Sequence, residues 1–138
     1  MTKTLAILAL AAGLTSAMTP AFAQETSRVH FAAGNDNAAI NGTITGRDYV
    51  DYLLGARAGQ RMAVALSVTG TNGSGSAYFN ILPPGSDGAA IFNSSMSVNN
   101  FGEVQLPVTG DYTIRVYLMG NDYDAGKTVG YTLSVTIR

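Results

Sequence analysis

Residues 131–138 read Tyr131-Thr132-Leu133-Ser134-Val135-Thr136-Ile137-Arg138. Tyr131, Leu133, Val135 and Ile137 alternate with Thr132, Ser134, Thr136 and Arg138. That strict period of two predicts a β-strand with one buried and one wet face. The stretch before it repeats the pattern. Tyr112, Ile114, Val116 and Leu118 alternate with Thr113, Arg115, Tyr117 and Met119. Val64, Leu66 and Val68 give a third case, spaced by polar or small residues.

Outward from these three, weaker strands are expected over 28–33, 38–45, 49–57, 77–82, 89–93 and 101–107. Turn-forming runs separate them: Gly34-Asn35-Asp36-Asn37, Thr71-Asn72-Gly73-Ser74-Gly75, Pro83-Pro84-Gly85-Ser86-Asp87-Gly88 and Gly120-Asn121-Asp122. Short strands split by such turns predict an all-β fold, an antiparallel β-sandwich of about eight strands. Its core is expected to hold Leu66, Val68, Ile81, Leu106, Ile114, Val116, Leu133 and Val135. The stretch 121–127 has room for one helical turn, but a loop is the expectation. No repeat or linker divides the chain, so one domain is expected.

The N-terminus reads differently. Lys3 is a basic start, Leu5 to Thr15 is an apolar run, and Ala21-Phe22-Ala23 is an A-x-A cleavage site. This order predicts a secretory signal peptide over 1–23, with the cut between Ala23 and Gln24. The apolar run is well short of the roughly 20 residues that span a bilayer. An exported domain over 24–138 is expected, periplasmic and without a membrane contact after cleavage.

Composition narrows the function. The chain has no Cys and one His, so thiolate metal sites and cysteine nucleophiles are excluded. Its formal net charge is −1, and no basic stripe marks a nucleic-acid surface. His30 has no second His to complete a metal set, and no G-x-S-x-G is present. Asp122 and Asp124 are the densest acidic pair. Gly126 and Leu133 stand where an EF-hand loop needs ligands, so that calcium pattern fails, although another calcium geometry at the pair stays open. No cofactor is expected. A small exported β-domain without a catalytic set is expected to be a binding protein and not an enzyme, with its function on loops.

Two blocks carry a resemblance. One is Gly42-Thr43-Ile44-Thr45-Gly46-Arg47-Asp48-Tyr49, then Asp51-Tyr52 and Ala58-Gly59-Gln60. The other runs Leu106-Pro107-Val108-Thr109-Gly110-Asp111-Tyr112-Thr113-Ile114-Arg115-Val116 and closes with Gly130-Tyr131-Thr132-Leu133-Ser134-Val135. Their order resembles the bacterial periplasmic inhibitors of g-type and i-type lysozymes. It also resembles the related pre-peptidase C-terminal domains. The first likeness implies a protein that plugs a lysozyme's substrate cleft with a loop of the form Ser-Gly-x-Tyr. The matching positions here are Thr109, Gly110, Asp111 and Tyr112. On that reading the hydroxyls of Thr109 and Tyr112 meet the target's catalytic carboxyl group. A different reading of the same residues is a hairpin start with Tyr112 packed under the strand. The second likeness implies a non-inhibitory sandwich that binds cell-wall glycan or another envelope protein. The chain departs from the inhibitors at Arg47, where they carry an aromatic residue. It departs again at 120–124, which is acidic where they are basic. Either likeness leaves a homo-oligomer open.

Overall fold

A computed structural model describes residues 24–138. The expected signal peptide, 1–23, lies outside the described residues. The strands are β1 (Gln24–Arg28), β2 (Asn37–Thr45), β3 (Tyr49–Ala56), β4 (Arg61–Thr71), β5 (Ala77–Leu82), β6 (Phe92–Asn93), β7 (Phe101–Gln105), β8 (Gly110–Leu118) and β9 (Thr128–Ile137). One five-residue helix, α1 (Gly120–Asp124), joins β8 to β9.

The strands form two sheets. One has the order β1-β3-β8-β5-β6 and the other β2-β9-β4-β7. Alternation decides which side chains lie between them. Tyr112, Ile114, Val116 and Leu118 of β8 face Val129, Tyr131, Leu133 and Val135 of β9 across a core that also holds Leu54, Met62, Phe79, Ile81 and Leu106. A fully buried aliphatic side chain stabilises by roughly 1.5–3 kcal/mol relative to exposure, so this layer carries the fold.

A polar contact sits inside that layer. Tyr52 of β3 and Tyr131 of β9 meet hydroxyl to hydroxyl at 2.6 Å, one sheet to the other. Burial pushes both phenols above their usual range, so both stay neutral. The neighbour of Tyr131 on β2 is Gly42. A Cβ there would lie 2.5 Å from the Tyr131 ring and hydroxyl, so glycine leaves the space the phenol fills.

Four expectations change. Val68 is 41% exposed and not core. The β4–β9 register shifts just beyond it, and its inner side meets Gly75, which has no side chain to cover it. The first strand covers 24–28 and not 28–33, and its parallel pairing with β3 is an exception in a sandwich whose other pairings are antiparallel, as expected. After Val29 donates to the Leu53 carbonyl the chain leaves that sheet to reach β2. The strand expected over 89–93 is only Phe92–Asn93. Within 121–127, residues 121–124 belong to α1 and not to a loop, and Gly126 at φ 64 takes the left-handed position at which helices commonly end.

Candidate functional site

β7 and β8 belong to different sheets, and residues 106–109 carry the chain between them. Leu106 anchors this crossing. Its side chain is 1% exposed, its N–H donates to the Gln60 carbonyl at 2.7 Å, and its carbonyl accepts the Gly59 N–H at 2.8 Å. Thr109 Oγ1 adds a third tie by accepting the Ala58 N–H at 3.0 Å. The 57–60 turn and the 106–109 loop are thus one unit.

Gly110 has φ 153, and a Cβ on it would lie 2.8 Å from Pro84 Cγ. Only glycine accepts that approach without displacing the proline. Two residues on, Tyr112 is fully buried. Its hydroxyl donates to the Val108 carbonyl at 2.6 Å and accepts the Val108 N–H at 3.2 Å. The phenol expected to project from the loop is therefore inside it, as the hairpin-start reading has it.

The exposed part of the loop is Pro107, Val108, Thr109 and Asp111. Val108, 46% exposed, is its apolar point. Asp111 takes a forked contact from Arg28 of β1, with Nη2 to Oδ2 at 2.8 Å and Nη1 to Oδ1 at 3.3 Å. The guanidinium holds the Asp111 carboxyl below the usual carboxylate range, and the carboxylate raises Arg28 in turn. The loop thus shows a neutralised acid beside an apolar point.

The acidic segment lies elsewhere. β8 has nine residues between the loop and Met119, about 30 Å of extended chain. So α1 sits at the opposite end of the sandwich from residues 106–111, and its charge does not face whatever meets the loop. Asp122 is also not a surface acid. It is fully buried, and its oxygens accept the N–H groups of Ser74 at 2.8 Å and Ser76 at 2.7 Å. Those bonds, Ser76 first, lower its pKa. Its lone pairs are spent on a neighbouring loop. Arg47 lies over the Tyr123 ring at 5.1 Å, at the same far end.

Among the described residues no three His, Asp or Glu side chains are grouped to hold a metal, and His30 is exposed. Asp51 and Arg115 form a forked pair at 2.7 and 2.9 Å on the outer face of the first sheet, with Arg115 over Tyr49. A shallow cleft of about 200 Å³ on the outer face of the second is lined by Arg61, Ala63, Glu103, Thr136 and Arg138. Composition did not reveal Val108, Arg28 or the 57–60 turn as parts of the loop unit. The one hint was Ala58-Gly59-Gln60, whose side of the bargain is backbone and has no side-chain signature.

No family model matches the chain. An inhibitor of g-type lysozyme from Escherichia coli K12 is 32% identical over 111 residues, which span 80% of this chain and 79% of that protein. The crystal structure of a periplasmic inhibitor of g-type lysozyme from Aeromonas hydrophila superposes with a TM-score of 0.77 at 34% identity, over 86% of this chain and 100% of that one. A pre-peptidase C-terminal domain of a Bacillus anthracis collagenase has a TM-score of 0.53 at 14% identity, over 87% of this chain and 99% of that domain, a likeness of fold alone.

Proposed function

This chain belongs to the family of periplasmic inhibitors of g-type lysozyme, proteins that are not enzymes, and from that premise we propose that it inhibits a g-type lysozyme by seating the 107–111 loop in the enzyme's substrate cleft. The observation that carries the reading is the Tyr112–Val108 closure. It holds the loop in one shape before any partner arrives, so little ordering entropy is lost on binding. Val108 offers apolar area. Thr109 accepts from Ala58 and keeps its own O–H to donate to a carboxylate. Gly110 sets the turn, Asp111 is masked by Arg28, and Tyr112 is the brace. A cleft lined by catalytic acids repels bare carboxylates, so the masking favours approach.

Export goes with this function. We propose cleavage between Ala23 and Gln24, supported by the Lys3, apolar-run and Ala-Phe-Ala order and by the periplasmic description of the relatives. Purified protein assayed against g-type, i-type and c-type lysozymes tests the reading. Inhibition of the g-type enzyme is expected, and activity against none of the three contradicts it.

A further inference from the structure

The Arg28–Asp111 contact is not between neighbouring strands. Arg28 ends β1 and pairs with Leu53 of β3. Asp111 belongs to β8, on the other side of β3, where its partner is Gly55. Adjacent strands lie about 4.8 Å apart, so the guanidinium must cross the outer face of β3 to reach the carboxylate. It crosses beside Gly55, where no side chain stands in the way. A Cβ on Gly55 would already lie 3.4 Å from Asp111 Oδ1. The backbone of Gly55 does not take a positive φ, so turn geometry is not what glycine serves here. A glycine inside a strand weakens it and often marks a close approach, and the approach here is that of Arg28 to Asp111. At the other end of β1, Gln24 Nε2 donates to Asp51 Oδ2 at 3.3 Å, so the strand is tied at both ends and Arg28 is kept over the slot.

Asp111 is the one charged residue between Leu106 and Tyr112, so its pairing decides the sign that the loop shows. We infer that Arg28, reaching through the slot that Gly55 leaves open, sets the charge of the 107–111 loop and thereby the rate at which the loop enters an acid-lined lysozyme cleft; this rests on the loop reading above. The pair is exposed, with side chains 46% and 55% accessible, and exposed ion pairs add little to stability. Its effect lies in the field at the loop. Charges near an interface act on association and its salt dependence. A bare carboxylate carried toward groups of its own sign slows encounter, and a matched one does not.

Association rates with a purified g-type lysozyme test this, measured by stopped flow at about 0.01 M and 1 M salt, where screening lengths are about 30 and 3 Å. Arg28→Ala bares the carboxylate. Gly55→Val keeps every charge and puts methyl groups into the slot, with a residue that suits a strand. Both variants should melt close to the wild type. At low salt both should associate about fivefold more slowly, and at high salt the gap should close. Asp111→Asn added to either should restore the wild-type rate. A purely structural role for Arg28 would give neither the salt dependence nor the rescue. If Arg28→Ala associates like the wild type at low salt while Val108→Glu weakens binding, the inference is overturned and the loop reading stands. A slow Arg28→Ala that Asp111→Asn does not rescue means that Arg28 touches the enzyme itself, which also overturns it. If Val108→Glu binds like the wild type, the loop reading fails and this inference falls with it.

Discussion

The Tyr112 hydroxyl folds back on Val108 and uses both of its hydrogen-bonding roles there, donating to the carbonyl at 2.6 Å and accepting the N–H at 3.2 Å. Tyr112→Phe keeps the ring and deletes both bonds. Val108 is partly open to water, which softens the loss, so about 1–2 kcal/mol of stability is expected to go. The larger effect is on inhibition, since an unbraced loop must be ordered on binding. Urea melts and inhibition titrations of the same variant check both. An unchanged inhibition constant would separate the brace from the function.

Tyr52 and Tyr131 are coupled across the core. Tyr52→Phe strands a buried hydroxyl on Tyr131, at a cost of about 1–3 kcal/mol. Tyr131→Phe strands the other by the same logic. The double change removes both groups and should cost less than the two single losses added. A double-mutant cycle by chemical denaturation measures the coupling, and strict additivity would mean that the two hydroxyls do not support each other.

Asp122 closes the far end by accepting from Ser74 and Ser76, and those bonds hold its pKa below the ordinary value. For a depressed carboxyl the stability contribution is complete above the unfolded pKa, about 3.9. It fades as pH falls through the lower folded value. Asp122→Asn should therefore melt below the wild type at neutral pH, and the gap should close in strong acid. Melting curves from pH 7 downward test this. A gap that stays constant with pH would mean that the charge does no work there. Inhibition should be little affected, because this end faces away from the loop.

The alternation of 112–118 and 131–137 placed both central strands and most of the core, because period-two patterning is a direct print of a half-buried sheet. The same alternation put Tyr112 in phase with Ile114, Val116 and Leu118, hence inside. The resemblance to Ser-Gly-x-Tyr implied instead a hydroxyl that meets a target; in the structure Tyr112 is buried and its hydroxyl is bonded to Val108. Val68 fitted its pattern too, but a register shift and Gly75 are three-dimensional facts that spacing does not carry. The helix at 120–124 rests on a buried carboxylate reaching a loop some fifty residues away in sequence, which no local reading supplies. The masking of Asp111 by Arg28 was hidden for the same reason, across 83 positions.

The most direct test of the loop as the lysozyme contact is the inhibition constant of Val108→Glu against a g-type lysozyme. Val108 is 46% exposed and outside the core cluster, so the variant should melt with the wild type. At the loop's apolar point the added carboxylate meets the acids of the cleft. Spoiling a contact at the centre of an interface with a desolvated charge costs about 2 kcal/mol or more when the position is a hot spot, about thirtyfold in affinity. The account predicts an unchanged melting temperature with inhibition weakened by about that factor. A folded variant that inhibits as well as the wild type would contradict it.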